Sequence, residues 1–198
     1  TYEIFFGYRL IGIVALIYYL IFLFEKKYNQ AATVAGLGFL FHPLSIIPNL
    51  LLLPALALSN RKIKVLVKSL VIFLFLILPS LILAKTDSSI FESAFDQEWL
   101  SIIKSRADYV FPSTWSVRGW AAFGLYPALI FMFWRWLGSP ARKTIRVILV
   151  VSFLVFIANF LILEIAKVPQ IAQLQLARSI GLLAYIGLVI TPLFLVYK

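Results

Sequence analysis

The sequence predicts an all-α fold, a polytopic bundle of transmembrane helices, and three observations carry that prediction. Of 198 residues, 63% are hydrophobic and 13% charged, with a mean hydropathy of +1.00; soluble domains run near half apolar and a quarter charged. A chain this short has too little interior to hide so much apolar surface from water. The apolar residues also fall into runs of about 20, the length that crosses about 30 Å of hydrocarbon. The formal charge of +10 does not point to a nucleic-acid partner, because the basic residues gather at the ends of apolar runs, the pattern of topology signals.

The expected architecture is about five full spans, a short proline-broken helical hairpin and one outer amphipathic helix, all within a single transmembrane domain over 1–198. The chain starts at Thr1 and enters an apolar run almost at once, with no basic n-region or small-residue cleavage site. It reads as a fragment of a longer chain. Ile4 to Phe24 is the first span and ends at Glu25-Lys26-Lys27. The next run, Ala31 to Leu58, is interrupted by His42-Pro43, Pro48 and Pro54. Proline removes a backbone donor and disfavours helix in the residue before it. The run therefore divides into helices over about 31–41 and 44–58, roughly 16 and 22 Å long at 1.5 Å per residue. A re-entrant or thin-membrane hairpin with His42-Pro43 at its tip fits those lengths.

Arg61-Lys62-Ile63-Lys64 and Lys68 open a span that runs to about Ala84. The segment 85–118 is the one long run that lipid would reject, with five of the eight acidic residues (Asp87, Glu92, Asp96, Glu98, Asp108). Within it Ile90, Phe91, Ala94, Phe95, Trp99, Ile102 and Ile103 recur at three- and four-residue spacing, the signature of an amphipathic helix on a membrane surface. Further spans are expected over 120–137, 145–165 and 174–196. Threaded this way, 11 of the 18 Lys and Arg residues fall on one side, among them Lys26, Arg61, Arg135, Arg142, Lys143 and Arg146. The positive-inside rule makes that side cytoplasmic. Segment 85–118, His42 and the 166–173 loop then share the extracytoplasmic side.

With no cysteine, thiolate nucleophiles and cysteine metal sites are excluded, and one histidine excludes a multi-histidine cage. No cofactor is evident; a carboxylate-only site for a divalent metal such as Mg²⁺ or Mn²⁺ stays open. Three groups carry candidate chemistry. His42 is an ionisable group at membrane depth, which is costly and so a functional candidate, as base or as donor to a phosphate or sugar oxygen; capping of the short helix is the alternative. Arg106, Asp108 and Tyr109 run into Phe111-Pro112-Ser113-Thr114-Trp115, an arrangement in which rings stack on a sugar, arginine binds hydroxyls or phosphate, and Asp108 serves as general base. Its alternative is a solvated ion pair beside aromatic interface anchors. Gln175 and Arg178, three apart, share one helical face. The guanidinium fork of Arg178 suits phosphate oxygens, with Glu164 as a neutralising partner and snorkelling to headgroups as the plainer reading. Arg9 is a weaker candidate of the same kind.

Ala35-Gly36-Leu37-Gly38-Phe39-Leu40-Phe41-His42-Pro43, the Arg106…Pro112…Trp115 block and Leu174-Gln175-Leu176-Ala177-Arg178 resemble uncharacterised bacterial polytopic proteins similar to the GT-C superfamily of glycosyltransferases. The resemblance implies a transferase in the plasma (inner) membrane that takes a polyprenyl-phosphate-linked sugar at the outer face. For this chain it implies the lipid-phosphate and acceptor side of a site, not its base; the residues themselves offer Asp108 and His42 for catalysis, and Arg106, Tyr109, Trp115, Gln175 and Arg178 for substrate. The acidic residue of the first outer loop, the usual catalytic mark of that superfamily, would precede Thr1, so it has no counterpart here. Membrane lipid and the lipid-linked sugar are the partners implied. A non-catalytic membrane subunit, or a transporter of lipid-linked glycan, is the alternative function.

Overall fold

A computed structural model describes residues 2–84, 101–102, 104–105, 110–166, 168, 172 and 174–197. Among them every regular element is helical. The chain divides into two compact units, Thr1–Ala94 and Phe95–Lys198. Among the described residues, three stretches are by length and composition apolar enough to cross a membrane: Gly7–Phe24, Ile63–Ile82 and Ser139–Ile165. The amphipathic helix expected over 90–103 lies almost wholly outside the described residues.

The first unit holds α1 (Tyr2–Phe24), α2 (Tyr28–Phe41), α3 (Pro43–Ile46), α4 (Leu52–Ser59) and α5 (Ile63–Ala84). Helix α2 packs against both α1 and α5, and its composition explains how. Ala31, Ala32, Ala35, Gly36 and Gly38 are buried, and small residues let apolar helices approach backbone to backbone. A Cβ on Gly38 would stand 2.7 Å from the Ala15 Cβ of α1, and one on Gly36 2.8 Å from the Leu76 Cβ of α5. One polar bond reinforces the second seam, as the buried Ser69 hydroxyl donates to Asn29 Oδ1 at 3.0 Å.

The run 31–58 breaks twice where one break was expected. His42-Pro43 ends α2, and a second discontinuity follows a 3₁₀ turn at Ile47–Asn49 that contains Pro48. Breaks leave backbone donors and acceptors that apolar surroundings cannot satisfy. Tyr19 of α1 supplies the missing partners: its buried hydroxyl donates to Asn49 O and accepts the Leu53 N–H, each at 3.1 Å. The arms close at their other end, where Tyr28 donates to Leu56 O at 3.3 Å and accepts from Asn60 Nδ2 at 2.8 Å. Burial raises the Tyr28 phenol above its usual pKa, against the opposing pull of the Asn60 amide, so it stays a neutral donor near pH 7. Two tight turns, each with a left-handed basic residue (Lys26, φ 59°; Arg61, φ 56°), thus sit at the same end of this unit.

The second unit contains α6 (Val117–Met132), α7 (Ser139–Phe160) and α8 (Gly181–Tyr197). The spans expected over 120–137 and 174–196 here hold helices of 16 and 17 residues. α6 stops at Met132 because Phe133 leaves the helical region (φ −91°, ψ 3°), and Trp134–Trp136 follow as a 3₁₀ turn. α8 is delayed to Gly181 because Gln175 is left-handed (φ 48°) and Leu176–Ile180 form a 3₁₀ turn. α7 runs on through a π-helical turn, Leu161–Ile165.

Candidate functional site

The site is built from the segment that enters α6. Val110 and Phe111 are buried, and two side chains of α7 and its π-helical extension pin the backbone around them. Asn159 Nδ2 donates to Val110 O at 3.0 Å. Glu164 Oε1 accepts the Ser113 N–H at 2.9 Å, a charge-assisted bond on an amide that a three-residue 3₁₀ turn leaves open. Glu164, expected as a neutraliser of Arg178, thus serves the backbone of 112–114. Pro112 starts that turn, Thr114 Oγ1 donates to Phe111 O at 2.8 Å, and Ser116 then caps α6 by accepting the Gly119 N–H at 3.3 Å.

Trp115 is thereby fixed in an aromatic cluster. Its ring centroid lies 5.1 Å from Trp120, 5.8 Å from Phe123 and 5.5 Å from Phe156, within the range where tilted rings attract. Its Nε1 is buried without a hydrogen-bond partner among the described residues. An indole N–H can only donate, so the ring keeps one buried donor for an incoming oxygen.

Arg178 arrives from the 3₁₀ turn before α8. Its neighbours Ala177, Ser179 and Ile180 are buried, and the Ser179 hydroxyl donates to Ser152 O of α7 at 3.3 Å. That anchoring leaves the Arg178 side chain half-buried in the wall of a cleft of about 380 Å³. Trp115, Gly119 and Phe123 line one wall; Ala177, Gly181 and Ala184 line the other. Further along, a Cβ on Gly187 would meet Tyr126 at 3.6 Å. So α6 and α8 touch there, and small side chains toward their starts leave the space of the cleft. Among the described residues of the lining, Arg178 is the one charged side chain.

The structure brings together two of the sequence candidates, Trp115 and Arg178. Gln175 does not share a helical face with Arg178 as expected. It is the left-handed residue before the 3₁₀ turn, and its carbonyl accepts the Arg178 N–H at 2.9 Å. His42 belongs to the first unit, where it ends α2; its Nδ1 is 2.8 Å from Ser45 Oγ, and Gly12 makes room for it, since a Cβ there would stand 2.6 Å from the His42 Cβ. Arg106, Asp108 and Tyr109 lie outside the described residues. Among the described residues no three His, Cys, Asp or Glu side chains cluster as metal ligands would. Sequence reasoning missed Tyr19, Asn159 and Ser179; the signal was polar groups within apolar runs, which must find partners inside the protein. A scan against protein-family models, a search of curated proteins and a search of solved structures each find no match.

Proposed function

We propose that this chain is the lipid-phosphate-binding part of a multi-pass membrane glycosyltransferase similar to the GT-C superfamily, taking a polyprenyl-phosphate-linked sugar at the outer face of a bacterial plasma membrane. The observation that supports it is the second unit's cleft, in which the Arg178 guanidinium is set among aromatic and small apolar side chains. An isoprenoid phosphate has the matching halves. Its phosphate oxygens suit the guanidinium fork, its first isoprene units suit the groove beside Gly119 and Ala184, and an ester or sugar oxygen suits the Trp115 N–H.

Charge distribution within this unit supports the outward orientation. Arg135, Arg142, Lys143 and Arg146 all sit at the turn between α6 and α7, away from the cleft. By the positive-inside rule that turn is the cytoplasmic one, and the cleft faces the other way. In the reaction, a carboxylate takes the acceptor hydroxyl's proton as the acceptor oxygen bonds to the anomeric carbon. The bond from that carbon to the phosphate oxygen breaks, and the polyprenyl phosphate leaves as an anion against Arg178. Asp108 is the proposed base, with Arg106 and Tyr109 beside it; the reading rests on the second unit alone.

Arg178→Ala is expected to weaken binding of a short-chain polyprenyl phosphate by about 10- to 100-fold, the worth of a charge-assisted pair. Arg178→Lys should recover only part, since it keeps the charge and loses the fork. Isothermal titration in detergent checks this, and unchanged affinity in both variants would refute the site. A second reading, a non-catalytic subunit or transporter of lipid-linked glycan, would use the same largely apolar cleft for binding alone. Intact binding together with unchanged glycan products in Asp108→Asn would select it.

A further inference from the structure

We infer that the turn joining α6 and α7 is a docking surface for anionic phospholipid headgroups, at the opposite end of the second unit from the cleft. Between residues 110 and 163 the sequence has no Asp or Glu, yet Arg135, Arg142, Lys143 and Arg146 crowd into this turn and the first two turns of α7. Arg135, Lys143 and Arg146 are exposed. Arg142 is partly buried, and its Nε has no partner among the described residues. Cations in the first turns of a helix also stand at the positive end of its dipole, where they are repelled. An anion supplied from outside relieves both costs.

The apolar side chains beside these cations select lipid as the source. Phe131, Met132 and Trp136 are 61%, 61% and 67% exposed. Trp134 is held in place, with Phe131 6.0 Å from its ring centroid and the Arg146 guanidinium 5.9 Å from it. The surface thus has an apolar, aromatic level and a cationic level side by side, as acyl chains and headgroups do at the edge of a bilayer. An acidic peptide or free phosphate would satisfy only the charges.

The test titrates the full chain in detergent with phosphatidylglycerol and, separately, phosphatidylcholine, and counts retained lipids by native mass spectrometry. The wild type is expected to prefer phosphatidylglycerol by at least about tenfold, from roughly a fivefold gain per basic residue near a headgroup. Neutralising the turn (R142Q/K143Q/R146Q) should remove the preference. Neutralising three exposed lysines of the first unit (K62Q/K64Q/K68Q) should leave it in place. R146Q alone, which releases Trp134 without altering the start of α7, should lower it about fivefold and carries the test if the triple variant misfolds. The inference is overturned if the wild type shows no preference or if both triple variants lose it equally. Displacement of phosphatidylglycerol by millimolar inorganic phosphate would also overturn it.

Discussion

Gly38→Val is expected to destabilise the first unit by about 3 kcal/mol, the upper range for overpacking a tight contact. The reason is steric. A Cβ at this position would already stand 2.7 Å from the Ala15 Cβ and 3.1 Å from Ile46 Cδ1, and Ala15 is fixed to the α1 backbone with no side chain to swing away. Valine adds two methyl groups to that clash, so α1 and α2 must part. Separation then weakens the neighbouring contact at Gly12, where His42 is seated. Gly124→Ala in α6 is the internal control: nothing lies within 4 Å of its Cβ position, and it should gain up to about 1 kcal/mol from helix propensity. Thermal melting of both variants in one detergent checks the pair. A Gly38→Val protein as stable as wild type would mean that α1 and α2 do not cross here.

Tyr19→Phe is expected to cost about 2–3 kcal/mol while changing the volume by one hydroxyl. The hydroxyl works at both ends, and its loss leaves the Leu53 N–H and the Asn49 carbonyl buried and unpaired, at about 1–3 kcal/mol for an orphaned group. The melting temperature should fall by roughly 5–10 °C. Hydrogen exchange should rise at Leu53 and its neighbours and stay unchanged across α5. A uniform rise would show that the phenol supports packing in general and not the helix break. Cavity loss alone cannot mimic this, since phenylalanine keeps the ring.

The helical class and the apolar stretches were legible in composition and run length, because hydrocarbon imposes both on any chain that enters it. The break at His42-Pro43 was legible for the same reason that proline ends helices. The second break had a local signal in Pro48, but what satisfies its backbone is a tyrosine 34 residues away from the amide it receives, a partnership that no local pattern records. Trp115 and Arg178 were both visible as candidates, but nothing in their local sequence sets them in one cleft. What joins them is the anchoring of 110–116 by Asn159 and Glu164 and of 176–180 by Ser179, and these are contacts between segments far apart in sequence. The pairing of Gln175 with Arg178 fails because it presumes an unbroken helix, whereas a single left-handed residue turns the chain there. Gly36 and Gly38 enter the sequence reading only through the resemblance; their physical role is to let three helices touch.

The reading of the second unit stands or falls with an isoprenoid phosphate seated between the starts of α6 and α8. A photoactivatable diazirine analogue of a short polyprenyl phosphate, cross-linked in membranes and mapped by peptide mass spectrometry, can catch it there. Labelling should concentrate on peptides containing Trp115, Ala122 to Tyr126 and Ala177 to Ala184, and both Arg178→Ala and excess unlabelled polyprenyl phosphate should suppress it. Labelling spread evenly over the exposed faces of α1 and α5, and indifferent to Arg178→Ala, would mean that the cleft is not the site.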